Sequence, residues 1–229
     1  MKHLLCALLF MLAAVAVGGC APEVRLLDET KLKDFSLLSG EPCEAPCWNE
    51  FVPGETLYRD AKLKIDEDTR YTDVQEAERK EGSDARIFGF APEEGQVCCQ
   101  VFSRDGETVT SLLLQFAPDM SFGPVMDRYG EPTYVGGEAP AADQAYMALV
   151  YPEVPMVIYA FVAGAENGRL STGSEILGAM YMSQDEMNLL LACSQLYDWG
   201  GFGGFNDYID DNFDFVGEDF DNEEICGSA

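Results

Sequence analysis

The residue types that do chemistry are unevenly supplied in this 229-residue chain: one histidine, His3, against eight cysteines and 41 aspartates and glutamates. His3 sits in an N-terminal leader, so no histidine is expected in the mature protein. Ser-His-Asp and Cys-His arrangements, HExxH zinc sites and most imidazole acid–base catalysis then lack their proton carrier. Gly200-Gly201-Phe202-Gly203-Gly204 is rich in glycine but lacks the Lys-Ser/Thr ending of a phosphate loop, and it reads as an aromatic-bearing turn. Carboxylate pairs of the glycosidase kind need no histidine, but with 41 acids some pair is inevitable and spacing marks none. Calcium is the remaining metal chemistry. On a loop template beginning at Asp210, the residues Asp210, Asn212, Asp214, Glu218 and Asp221 fall at positions 1, 3, 5, 9 and 12. Phe215 stands where the sharp turn needs glycine, and Asp221 is shorter than the usual glutamate. The stretch reads better as an acidic, aromatic flexible tail carrying Phe213, Phe215 and Phe220. No cofactor motif is present.

The elements that must position these residues begin with the leader itself. Lys2 and His3 form a short basic head, and Leu4 to Val17 supply an apolar run of about 14 residues, shorter than the ~20 needed to span a bilayer. Val17-Gly18-Gly19-Cys20 resembles a bacterial lipobox, in which the cysteine is lipidated before cleavage. Residues 1–19 are therefore read as a lipoprotein signal peptide, Cys20 as the lipidated mature N-terminus, and the location as extracytoplasmic and membrane-anchored. That means the cell surface, or the outer membrane facing the periplasm in a two-membrane host. Outside the cytoplasm, the six cysteines that remain (Cys43, Cys47, Cys98, Cys99, Cys193 and Cys226) are disulfide candidates. Cys43 and Cys47 flank a Pro-bounded turn and are expected to bond each other. Cys98 and Cys99 are adjacent in a stretch that reads as strand, so they should face opposite sides, and one should reach Cys193 or Cys226. A thiolate zinc site lacks its paired spacing.

Loss of Lys2 with the leader takes the formal charge from −27 to −28, with 13 basic against 41 acidic residues. Such a surface repels nucleic acid and anionic headgroups, and its electrostatic partners are cations and basic proteins. Arg169 is the last basic residue, and 13 acids follow it.

Residues 20–39 read as a tether, 40–206 as an α+β domain, and 207–229 as the flexible tail. Pro53-Gly54-Glu55-Thr56 leads into a helix capped by Thr56, with Leu57, Ala61 and Ile65 on one face. Arg86–Phe90, Gln96–Arg104 and Thr108–Phe116 then read as antiparallel strands, with a further short strand near Val74. Phe122, Val125, Met126 and Tyr129 mark a second helix, with Ser121 before it and Gly130 after it. Ala145–Tyr151, Val154–Val162 and Ile176–Met182 follow as strands, and the continuous apolar run Met156–Val162 suggests burial on both faces. Met187–Leu191 reads as a helix covering that sheet. The fold class is thus α+β, helices packed on antiparallel sheet in two tandem helix plus three-strand units, about 43–118 and 119–193. Deleting Asp207–Ala229 is expected to leave the body folded unless Cys226 pins it, whereas truncation before Ser183 is not.

CEAPCWNEFVPGET (Cys43–Thr56), DRYGEPTYV (Asp127–Val135) and DWGGFGGF (Asp198–Phe205) together resemble a group of uncharacterised bacterial lipoproteins with PCW, PG-x-T and YG-x-P motifs in this order. The layout of helix followed by strands is similar to that of the outer-membrane assembly lipoprotein BamE and of the β-lactamase inhibitor protein. That resemblance implies a protein-binding role without catalysis. Trp48 reads as a core anchor. The function expected is a non-catalytic interaction module at the cell envelope, held to the membrane by its N-terminal lipid and binding a protein partner, not nucleic acid. A carboxylate-dependent envelope hydrolase and a calcium-responsive surface protein are the alternatives.

Overall fold

A computed structural model describes residues 25–78, 82–164, 166–209 and 226. Nine strands build one antiparallel sheet: β1 Tyr71–Glu76, β2 Arg86–Pro92, β3 Cys99–Ser103, β4 Ser111–Gln115, β5 Tyr134–Ala141, β6 Gln144–Tyr151, β7 Met156–Val162, β8 Ile176–Met182 and β9 Tyr197–Asp198. Among the described residues, five helices accompany them: α1 Ser36–Ser39, α2 Tyr58–Glu67, α3 Phe122–Tyr129, α4 Gln184–Cys193 and α5 Phe205–Ile209. The spatial order β1-β2-β3-β4-β8-β7-β6-β5-β9 makes the logic plain. Each half is a helix followed by a four-strand meander, and the meanders join where β4 pairs antiparallel with β8.

The α+β class and the repeated element order are as expected, but each unit has four strands, not three. The additional strands are β1, which is the short strand expected near Val74, and β5, and they lie at or near the two edges of the sheet. An edge strand satisfies half its backbone in one ladder and needs no continuous apolar run. Hence the polar YTDVQE of β1 carries little hydrophobic signal, and YVGGEAPA of β5, with two glycines and Pro140, reads as turn.

One row of side chains crosses both halves. Phe88, Val101, Leu112, Tyr181, Met156 and Tyr151 are successive register partners from β2 to β6, and all are buried. Helices α2 and α3 cover this face, α2 through Tyr58, Ala61 and Ile65 and α3 through Phe122 and Val125. The two units therefore share one core. Burial of side chains of this size contributes roughly 1.5–3 kcal/mol each against the entropy of ordering the chain.

Local signals shift by a residue or two. Thr56 does not cap α2; its Oγ1 accepts from the Val52 N–H at 2.8 Å, closing the turn in which Gly54 adopts φ 90°. The helix starts at Tyr58 instead, leaving Leu57 outside the helix and 41% exposed. Ser121 precedes α3 without a side-chain cap bond, whereas Gly130, at φ 79°, ends it by donating to the Met126 carbonyl. Ser183 is a working cap of α4, accepting from the Glu186 N–H.

The stretch read as tether is, from residue 25 onward, laid along the body. Leu32 bridges Phe116, Leu37 is buried, and Asp34 accepts from the Trp48 indole N–H at 3.2 Å. At the other end, Asp207 and Tyr208 belong to α5 and not to a free tail. Tyr208 is buried and stacks on Trp199, and Asp207 accepts from the Gly204 N–H at 2.6 Å and pairs with Arg169 at 3.3 Å.

The disulfides correct one expectation. Cys43 and Cys47 are bonded as the turn suggests. Cys98 and Cys99 are bonded to each other, and Cys193 to Cys226. Cys98 precedes the first residue of β3, so strand alternation does not separate the adjacent thiols, and both are buried. Neither can reach Cys193. Cys99 pairs in register with Phe90 and Leu114 on the face covered by α2 and α3, while Cys193 ends α4 on the opposite face.

Candidate functional site

Alternation along the strands sends every second residue to the face away from α2 and α3. Part of this second face is closed. Met187, Leu190 and Leu191 of α4 pack on Val150, Val157 and Met182, with Leu196 beside them. Capping by Ser183 starts α4 directly after β8, and Glu186 then reaches Arg104, accepting at 2.8 and 2.7 Å, which fixes the helix against the β3–β4 hairpin.

Among the described residues, no helix lies over the rest of the face. Ile87, Phe102, Leu113, Met180, Tyr159 and Phe161 are each partly exposed there, one or two from each of strands β2, β3, β4, β7 and β8. None of them is charged, in a chain of net charge −27. The run Met156–Val162 is thus buried on both faces only in part: Val157 is buried in the cluster under α4, Tyr159 packs at its margin and stays partly exposed, and Phe161 lies outside it. Tyr146 and Tyr159 meet edge to face at 5.7 Å, and the Tyr146 hydroxyl donates to Glu138 at 2.8 Å. Burial, followed by that carboxylate, pushes the Tyr146 phenol up to about 12; burial raises Tyr159 as well.

The N-terminal segment crosses the end of this face opposite α4. The Leu26 N–H donates to Gln144 Oε1 at 2.7 Å, Lys31 Nζ to the Val97 carbonyl at 3.0 Å, and the Gln96 N–H to the Thr30 carbonyl at 3.3 Å. Between segment and sheet lies a groove of about 540 Å³, floored by Leu113, Phe116, Leu177, Tyr146 and Tyr159. A second hollow of about 330 Å³ lies between residues 29–34, Arg70 and Tyr71, but its principal cation is already engaged: Asp68 accepts from Arg70 at 2.6 Å.

The residues marked in the sequence do not converge here. Cys20 lies outside the described residues, as do the calcium candidates Asp210, Asn212, Asp214, Glu218 and Asp221. Among the described residues no group of three His, Cys, Asp or Glu side chains is arranged to hold a metal. Asp28, Glu50, Asp68 and Asp105 are held below the usual carboxylate range, by the Thr30 hydroxyl, Lys64, Arg70 and the Thr108 and Glu107 amides respectively. A depressed carboxyl is ionised at neutral pH and is no general acid. Trp48 is fully buried against Phe90 and Phe51, a core anchor as expected.

Sequence reasoning missed the open face because its signal, aromatic and aliphatic residues at both phases of the strand period, is the same one that a fully covered sheet produces. No protein family, no curated protein and no solved structure matches this chain.

Proposed function

We propose that this protein is a lipid-anchored, extracytoplasmic interaction module that binds a protein partner through the open face of its sheet and performs no catalysis. The observation that carries this reading is the contiguous uncharged floor formed by Ile87, Phe102, Leu113, Met180, Tyr159 and Phe161. Monomeric proteins seldom leave apolar surface of this kind contiguous unless something docks on it. Aromatic and methionine side chains are also the types enriched where protein interfaces are buried. The surrounding charge selects a basic partner: an apolar or aromatic projection rimmed by lysine and arginine gains steering and complementarity from a surface of −28.

The test is capture from detergent-solubilised envelope, comparing wild type with Phe102→Glu, Met180→Glu and a control, Glu67→Lys, on the far side of the sheet. The open-face variants are expected to lose a specific partner by at least about tenfold, as for a central interface anchor. They should keep the wild-type melting temperature, and the control should keep the partner. Retention of every partner by folded open-face variants would overturn the reading.

A further inference from the structure

We infer that the groove beneath the N-terminal segment receives an acyl chain of the lipid on Cys20, so that the sheet shelters the protein's own anchor whenever no bilayer is at hand. The inference rests on the anchoring reading above. Three observations carry it. The first is reach. Arg25 lines the groove, and the hydrogen bond from the Leu26 N–H to Gln144 fixes where the described chain enters it. Only residues 21–24 separate Cys20 from Arg25, and the five residue steps between them extend at most about 18 Å. An acyl chain attached at Cys20 therefore starts within about one chain length of the groove mouth.

The second is size and chemistry. A volume of about 540 Å³ lies within the range of ~300–1,000 Å³ typical of small-molecule sites. The floor of Leu113, Phe116, Leu177 and the rings of Tyr146 and Tyr159 carries no charge, while Arg25, Asp28, Lys31, Gln96 and Gln115 stand among the other lining residues. An apolar floor with polar groups beside it suits an amphiphile that lays down its tail and keeps its head in water.

The third is the balance of alternatives. Transfer of methylenes from water into an apolar groove is favourable, whereas transfer from bilayer into groove is close to neutral, since both are apolar. The same groove thus holds the chain in water and yields it at a membrane surface. A lipid-bearing protein that leaves its site of processing for another membrane faces that exchange.

The experiment uses the mature chain in two forms, lipidated wild type and Cys20→Ser, both free of detergent, with dansyl-labelled undecanoic acid as the probe. The Cys20→Ser protein is expected to bind the probe saturably at one site. Leu113→Glu and Leu177→Glu, placed in that background, should weaken binding by at least about tenfold, the effect of losing roughly two buried methylenes. Lipidated wild type should bind little probe because its own chain fills the groove. Absence of saturable binding to a Cys20→Ser protein that melts like wild type overturns the inference. So does equal probe binding by the lipidated and unlipidated forms, a comparison that needs no groove variant. Intact mass reports the modification separately: an unmodified Cys20 in wild type overturns the anchoring reading and this occupant with it, leaving probe binding to mark a groove for some other amphiphile.

Discussion

Two truncations, one removing residues 210–229 and the other 205–229, differ by five residues and should differ by most of the protein's stability. The shorter deletion removes Cys226 and with it the bridge to Cys193, which closes a loop with a sequence separation of 33. Chain-entropy arithmetic for a loop of this length gives about 4 kcal/mol. At ~2–4 °C per kcal/mol for a chain of this size, the midpoint should fall by roughly 8–16 °C with the cooperative transition intact. The longer deletion also removes Phe205 and Tyr208, which are 6% and 3% exposed and belong to the main core. Tyr208 stacks on Trp199 and donates to the Gly201 carbonyl, and Phe205 lies against Gly137 of β5. Deleting a buried aromatic costs ~3–5 kcal/mol, so the pair adds roughly 6–10 kcal/mol to the lost bridge. That sum is comparable to the whole stability of a typical domain, ~5–15 kcal/mol. The assay is thermal and urea unfolding of both truncations beside Cys226→Ser. Cys226→Ser and the 210–229 deletion should melt together, and the 205–229 deletion should show no cooperative transition. Equal melting of the two truncations would refute the assignment of α5 to the core. Loss of the transition on removing 210–229 alone would refute the sequence-based expectation that the acidic tail is dispensable apart from Cys226.

Alkaline pH should unfold the protein through its buried phenols. Burial pushes Tyr71 and Tyr146 up to about 12, Tyr71 against the opposing pull of Arg70. A raised folded-state value means that the stability is fully present below the unfolded value near 10 and is lost as pH rises toward 12. Tyrosinate absorbance followed together with circular dichroism should show late titration coincident with unfolding; full ionisation near pH 10 with the fold intact would contradict it. Gly178→Ala should destabilise by about 1–3 kcal/mol, because a Cβ there meets the Leu114 carbonyl and comes within 3.2 Å of Gln115 Cα, backbone that has nowhere to move in a central strand pair. An unchanged melting temperature would show that β4 and β8 are less tightly joined than their register implies.

Strong local periodicity was readable before any tertiary information. The 3.6-residue spacing of Phe122, Val125, Met126 and Tyr129 with Gly130 behind it, the apolar run of Ile176–Met182, and the Pro-bounded pair Cys43 and Cys47 all have local causes, and the helix, strand and bridge are where those causes put them. Two kinds of feature had no local cause. Strand β5 takes its conformation from a neighbour's unpaired backbone, so glycine-bearing YVGGEAPA becomes a strand only once β6 offers it a ladder, while polar YTDVQE of β1 signals no more than the short strand near Val74. The disulfide partners and the open face depend on which side of the sheet each element covers. Composition cannot distinguish Tyr159, partly exposed at the margin of the α4 cluster, from Val157, buried within it, because both stand in one apolar run on one strand face. Chain connectivity decides between them: Ser183 turns the chain back over one end of β6–β8, residues 25–31 cross the other, and no other described element covers the floor between them.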